Sequence, residues 1–325
     1  MISLYQKSRN FSIFLLFIYI GGFLYMENSK NTLRVENIRK IYESGRGIEN
    51  INFSLKPGEV MGVIGVNGSG KTTTFKCLLH LLSPDEGKIY IGEEELNESH
   101  KSLFGYLPEE RCLYKDLKVY EQITLIGELR KMSREAIENA MDYWIERMNI
   151  TNLYDSKIEE LSKGNQQKIQ FICAILHDPS IIVLDEPLSG LDAINAEMFK
   201  EIIEELRKKK KIILLSSHQF EYIEEFFQKV LLIKNGEQKW YGEVAKLKHM
   251  SEHRYIRIVT DKKKEYYLED GVISQNVNGQ SVRLMMEDET KAVKLFRKLL
   301  RSEPLNSMTI ELPTLKDIVL ERELL

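Results

Sequence analysis

Cysteine is scarce in this chain: three residues in 325, Cys77, Cys112 and Cys173, odd in number and without metal-ligand spacing. That excludes a disulfide scaffold and a Cys-ligated metal site, and the thiols are read as reduced, in a cytosolic protein. Charge of one sign is lacking too. Lys and Arg total 46 against 49 Asp and Glu, a formal net charge of −3, so the chain as a whole has no electrostatic footprint for nucleic acid. An internal repeat, a low-complexity tract and a long heptad run are all missing, which excludes a solenoid, a disordered linker and a coiled coil. The remaining composition, 43% hydrophobic and 29% charged, is ordinary for a globular protein. The length suits one large domain plus a smaller one.

From residue 32 onward, secondary-structure signals are regular. Residues 33–35 and 51–55 alternate apolar and polar, as short strands do, and Pro57-Gly58 marks a turn. Residues 60–64 form a buried strand, followed by a Gly-rich loop and a helix over about 71–82. Residues 117–160 are rich in helix formers and read as a helical insertion. The unalternating apolar runs 181–184 and 212–215 read as strands of a sheet covered on both faces, with a helix of roughly 195–209 between them. Residues 230–233 and 238–241 flank Asn235-Gly236, the signature of a hairpin. After about residue 249, strand-like pieces at 255–259, 265–268, 282–286 and 308–312 surround a helix near 288–301, with a last helix after Pro313. That is the pattern of a separate small α+β domain. The basic run 207–211 follows a Glu-rich helix and most simply complements its negative end.

Residues 65–72 read Gly-Val-Asn-Gly-Ser-Gly-Lys-Thr, a match to G-x-x-x-x-G-K-[ST] between a strand and a helix. Glycines let the backbone curl so that successive N–H groups face phosphate oxygens, and the helix adds its positive end. Gly65, Asn67, Gly68, Ser69, Gly70, Lys71, Thr72 and Thr73 are therefore the expected nucleotide-binding residues. Lys71 should reach the β- and γ-phosphates and the Thr72 hydroxyl should ligate Mg²⁺. The strand 181–184 ends in Asp185-Glu186, which places two carboxylates at the carboxyl edge of the sheet, where ligands bind.

With Leu161-Ser162-Lys163-Gly164-Asn165-Gln166-Gln167-Lys168 upstream of that strand, the chain resembles the ATP-binding-cassette (ABC) ATPases, over roughly residues 32–245. The octapeptide is similar to the family signature, commonly LSGGQ, with Lys163 and Asn165 departing from it. The resemblance implies that Ser162 and Gly164 contact the γ-phosphate held by another subunit; Ser162 as a plain helix cap is the alternative. It implies that Asp185 holds Mg²⁺ through water and that Glu186 polarises the attacking water. Ser189-Gly190-Leu191-Asp192 is similar to the loop that crosses the dimer interface, and His218 to the histidine that contacts the γ-phosphate. Tyr42 is similar to the aromatic that stacks on adenine. His80, His100, His177, His249 and His253 are read as having no special role. Glu109 in Tyr-Leu-Pro-Glu-Glu-Arg, residues 106–111, stands where the family usually has Gln, and a carboxylate there can also ligate Mg²⁺.

The fold implied is an α/β P-loop NTPase cassette with an antiparallel β subdomain and a helical subdomain, followed by a small C-terminal α+β domain. The domains expected are 32–248 (helical insertion about 113–163) and 249–325, after an apolar extension, 1–31. The implied function is the ATP-hydrolysing subunit of an ABC transporter, an exporter to judge from the C-terminal domain and the closing Pro-Thr-Leu-Lys-Asp-Ile. The cofactors implied are ATP and Mg²⁺. The partners are a polytopic membrane permease and a second ATPase subunit, identical or paralogous, at the cytoplasmic face of the membrane, with no nucleic acid. The rival is a soluble ABC ATPase acting on ribosome or DNA, against which stand the single cassette and the missing heptads. A catalytically dead module is a third, against which stand Lys71, Asp185, Glu186 and His218.

Residues 11–26, FSIFLLFIYIGGFLYM, follow Lys7 and Arg9 and lack a small-x-small cleavage site. The run is shorter than the roughly 20 residues of a membrane span, and Met26 precedes a natural-looking start, so the segment reads as an over-extended frame, with a single N-terminal anchor as the alternative. A chain beginning at Met26 is expected to keep full ATPase activity. An inactive truncated chain, or a native mass that includes Met1, contradicts that expectation.

Overall fold

The structure, a computed structural model, describes residues 32–217, 224–260, 266, 268–302 and 305–321. It divides into two units, one of the residues up to 217 with Lys229–Tyr241, the other of 224–228 with Gly242 onward. In the first unit, alternation produces an antiparallel pair, β1 (Leu33–Ile41) and β2 (Gly47–Leu55), with Leu33 opposite Leu55 and Val35 opposite Phe53. Then follow β3 (Val60–Ile64), α1 (Lys71–Leu78), β4 (Glu86–Ile91), β5 (Glu94–Glu95) and β6 (Phe104–Leu107). The insertion supplies α2 (Val119–Leu129) and α3 (Arg134–Arg147), and the chain returns through α4 (Lys163–Ile175) and β7 (Ile181–Leu184). It continues with α5 (Ala193–Lys208), β8 (Ile212–Ser216), β9 (Lys229–Lys234) and β10 (Glu237–Glu243).

These strands form one ten-stranded sheet in the order β5-β4-β1-β2-β10-β9-β3-β8-β7-β6. β3, β7 and β8 are buried along their whole lengths and pair in parallel with their neighbours. Unalternating Val, Ile and Leu are what such strands require, and each fully buried side chain stabilises the fold by about 1.5–3 kcal/mol. Among the described residues, the antiparallel strands β1, β2, β4 and β5 join this parallel sheet where Glu237 of β10 pairs with Glu49 of β2. The hairpin turn behind it has Asn235 and Gly236 both at positive φ (52° and 84°), as a two-residue primed turn demands. Its Gly236 N–H donates to the Ser69 carbonyl (2.8 Å), and its carbonyl accepts from the Glu49 N–H (2.8 Å).

In the insertion, Ser133 caps α3 by accepting from the Ala136 N–H (3.2 Å). Ile137, Met141, Trp144 and Ile145 form its buried stripe, the i, i+4, i+7, i+8 spacing of a helix with one apolar face. Gly127 on α2 lets the two helices cross closely, since a Cβ there would stand 2.5 Å from Ile137 Cγ1. At the end of α5 the basic run is taken up by ion pairs: Arg207 with Glu204 (2.6 Å), Lys209 with Glu205 (2.8 Å) and Lys211 with Asp178 (2.8 Å). No helix among the described residues is long and apolar enough to cross a membrane.

The second unit holds α6 (Val244–His249), β11 (Arg254–Val259), β12 (Val272–Asn278), β13 (Ser281–Met286), α7 (Glu289–Ser302), β14 (Ser307–Glu311) and α8 (Leu315–Glu321). Its sheet is antiparallel, in the order β12-β13-β11-β14. Ala292, Leu295 and Leu299 of α7 share a core with Ile256, Ile258, Val282, Leu284 and Met286. Of the expected strand 265–268, Tyr266 is fully buried and Leu268 lies in a turn, while Glu265 and Tyr267 lie outside the described residues. The unit takes in residues ahead of 249 because Glu224 accepts from the Leu315 N–H (2.9 Å) and pairs with Lys248.

His177, between α4 and β7, places Nε2 3.0 Å from the Phe104 carbonyl, to which it donates. Burial, and then the Arg130 guanidinium, lower its pKa from 6.5 to about 4. The imidazole is held neutral in the fold, while the unfolded chain takes up a proton below pH 6.5. Its contribution to stability is thus present above pH 6.5 and lost as pH falls toward 4. His177→Gln is expected to flatten that decline, read from denaturation midpoints at stepped pH.

Candidate active site

The site assembles where β3, β7 and β8 end. β3 runs into the Gly65–Gly70 loop and so into α1. A Cβ on Gly65 would stand 2.3 Å from Ser69 Oγ and 2.4 Å from the Ile233 carbonyl, so only glycine closes the loop. Gly70 caps α1 at φ 115° and offers no side-chain bond. The first-turn N–H groups of α1, at Lys71, Thr72 and Thr73, therefore point out of the helix with no side-chain cap, and the helix dipole reinforces them. Ser69 Oγ is buried without a hydrogen-bond partner. The buried Lys71 ammonium donates to the Gly65 carbonyl (2.7 Å) and the Val66 carbonyl (3.3 Å). Asn67 and Gly68 are exposed at the loop tip and Thr73 is half-buried. Donors uncompensated at a helix start, beside a buried ammonium, fit a polyphosphate.

Opposite the loop, the Thr72 hydroxyl donates to Asp185 Oδ2 (3.0 Å). Asp185 is buried, and its Oδ1 accepts from the Ser216 hydroxyl at 2.6 Å. Ser216 Oγ in turn accepts from the Glu186 N–H at 2.9 Å. Glu186 is buried and held at φ +51°. A left-handed backbone costs a non-glycine residue on the order of 1–2 kcal/mol, and such strain collects at functional sites. Thr72 and Asp185 together offer the oxygen donors a hard divalent cation takes.

The other expected residues divide. Ser162 is exposed at the start of α4, its Oγ accepting from the Asn165 N–H (3.3 Å). Asp192 caps α5 by accepting from the Asn195 N–H (2.8 Å). A Cβ on Gly164 would lie 3.7 Å from Leu191 Cδ2, so α4 begins against the loop that leads into α5. Among the described residues, no hydrogen bond joins Ser162 or Gly164 to the Gly65–Gly70 loop. Tyr42 is 39% exposed in the turn after β1, where its N–H donates to the Arg46 carbonyl (2.7 Å). Glu109 is exposed on the loop after β6. Burial raises the pKa of the neighbouring Tyr106 phenol, and the Asp185 and Glu109 carboxylates add to the rise. His218 lies outside the described residues.

Three residues central to this arrangement were not singled out from sequence. Ser216 ties Asp185 and Glu186 together, and its signal is a hydroxyl closing an otherwise apolar strand. Gln167 and Gln170 are polar residues on the buried face of α4. Gln167 Nε2 donates to the Pro187 carbonyl (3.1 Å), directly after Glu186. Gln170 holds the loop that carries Glu109.

The mixed sheet, the phosphate cradle and the paired carboxylates define a P-loop nucleoside triphosphatase. Comparison with known proteins narrows the class. A sequence model of the ABC transporter family matches residues 48–189. An ABC transporter ATP-binding protein of Alkalihalophilus pseudofirmus is 40% identical over 261 residues, 80% of this chain and 98% of that one. The lipopolysaccharide export system ATP-binding protein of Haemophilus influenzae is 33% identical over 193 residues, 57% of this chain and 80% of the other. A solved ATP-binding subunit of an ABC transporter superposes with a TM-score of 0.63 at 28% identity, covering 67% of this chain and 92% of that one. The chain belongs to the ATP-binding proteins of ABC transporters, and it is an ATP hydrolase.

Ser216→Ala leaves a buried carboxylate and a buried amide short of a partner, so it is expected to cost about 1–3 kcal/mol of stability. Turnover should fall by more than that loss explains, since misplacing a reacting group by about 1 Å costs on the order of a hundredfold. Denaturant unfolding and steady-state ATPase assays check the two parts.

Proposed function

We propose that two copies of this cassette, or one copy and a paralogue, close head to tail around two ATP molecules and drive a separate polytopic membrane subunit, in the direction of export. One observation carries the pairing. Thr72, in the first turn of α1 directly after the phosphate loop, is bonded to Asp185 and, through Ser216, to Glu186, while Ser162 stands exposed and unbonded to that loop. That separation supports the reading in which Ser162 and the Gly164 backbone act on the nucleotide of a second chain. Leu191 lies against Gly164, and Ile194, three residues further on, is 83% exposed, an apolar side chain that such a partner would cover. The likeness to a lipopolysaccharide export ATP-binding protein supports a role in transport; the direction rests on the small C-terminal unit and the closing Pro-Thr-Leu-Lys-Asp-Ile.

Within each site, Tyr42 stacks on the adenine, and the N–H groups of the loop and of α1 bind the phosphates. Lys71 meets the β- and γ-phosphates, where a full positive charge offsets the charge that builds as the terminal phosphoryl leaves. Thr72 and, through water, Asp185 would hold Mg²⁺, with Glu109 as a further ligand, and the ion would supply neutralisation of the phosphate oxygens. Glu186 polarises the attacking water; its left-handed backbone, fixed by Ser216, aims the carboxylate. His218 contacts the γ-phosphate. Products are ADP and phosphate, and their formation lets the pair reopen.

Glu186→Gln removes the group that polarises water and leaves both phosphate cradles, so ATP binding should persist while hydrolysis falls by roughly a hundredfold or more. Gel filtration with ATP should then show a stable dimer. A strictly monomeric profile with hydrolysis near wild type sinks the proposal.

A further inference from the structure

The helical insertion is attached to the core by two connections, the outgoing loop after β6 and the returning helix α4. One side chain crosses between them. Gln170, buried on α4, donates from Nε2 to the Pro108 carbonyl (3.0 Å) and to the Glu110 carbonyl (2.9 Å), and its Oε1 accepts from the Cys112 N–H (3.3 Å). The two carbonyls flank Glu109, so a single amide nitrogen gathers the backbone on both sides of that residue and turns its side chain outward, where it is exposed. One turn earlier on the same helix face, Gln167 holds the Pro187 carbonyl beside Glu186.

We propose that Gln170 is a positioning residue that makes the Glu109 loop and α4 one moving body. The Gln170 side chain is itself buried, so its amide relies on these three half-buried bonds and holds the loop by all of them together. Any displacement of α4 then carries the Glu109 loop with it, and Gln167 passes the same displacement to the Glu186 turn. The N-terminus of α4 carries Ser162, so the nucleotide of the partner chain is linked to both carboxylates of the chain's own site. Only that last link rests on the paired arrangement proposed above; the union of loop and helix does not.

The test is Gln170→Leu, which keeps the volume and removes all three bonds. ATP affinity should stay within about twofold of wild type, because no residue of the phosphate cradle is touched, while kcat drops about tenfold or more, as expected when a reacting group is displaced by a fraction of an ångström. A purely structural role would lower affinity, stability and turnover together, and either that result or an unchanged kcat overturns the proposal. Should the variant fail to fold, hydrogen exchange on the unaltered protein decides. The Cys112 amide should be protected both without nucleotide and with ATP and Mg²⁺; exchange at the rate of a free amide in either condition overturns the proposal. The two readings fail separately. A monomeric Glu186→Gln protein removes the link to a partner and leaves Cys112 protected, whereas an unprotected Cys112 removes the union of loop and helix and leaves the dimer.

Discussion

The Ser216 hydroxyl is the interaction on which the carboxyl end of the parallel strands depends. It donates to one carboxylate and accepts from the amide of the next residue, so β7 and β8 are locked at the point where both give way to loops. With one oxygen of Asp185 engaged there, the other is left for Thr72, and the phosphate loop is drawn to β7. The same bond supports the left-handed backbone of Glu186. Strain of that kind survives only where surrounding contacts over-determine it. Here the contacts are a strand-end hydroxyl, a Gln167 amide and the Ser189 N–H on the Glu186 carbonyl.

What was legible in the sequence is what depends on neighbours along the chain. The buried parallel strands showed as apolar runs, the hairpin as Asn-Gly, and the cradle as glycines ahead of Lys-Thr. The structure forms all of them close to the expected limits, with α1 ending earlier, at Leu78. What was hidden depends on neighbours across the fold. β12 is an edge strand with most of its side chains exposed, so no alternation announces it. β5 is only two residues long. Gln167 and Gln170 look like ordinary helix residues until their carbonyl partners, some 20 and 60 positions away in sequence, are brought beside them.

The charges show the same division. The basic run after α5 reads in sequence as a complement to the negative end of that helix, and in the fold Arg207, Lys209 and Lys211 pair with Glu204, Glu205 and Asp178. Surface pairs of this sort contribute little each. The second unit has a counterpart in Arg283, which grips Asp317 with two bonds (2.9 and 2.6 Å) while lying over the Tyr255 ring. Asp317 also accepts from the Thr314 N–H and hydroxyl, so the start of α8 and the sheet are fastened by one carboxylate.

The Gly236 backbone touches two places at once, the Ser69 carbonyl in the phosphate loop and the Glu49 amide in β2. β2 begins just beyond the turn that bears Tyr42. The spacing between the phosphate cradle and that turn is therefore a ruler made of main chain alone. Its tolerance is set where main chain meets main chain: a Cβ on Gly236 would stand 2.4 Å from the Gly47 carbonyl, so a side chain at that one position would have to push the two ends of the span apart.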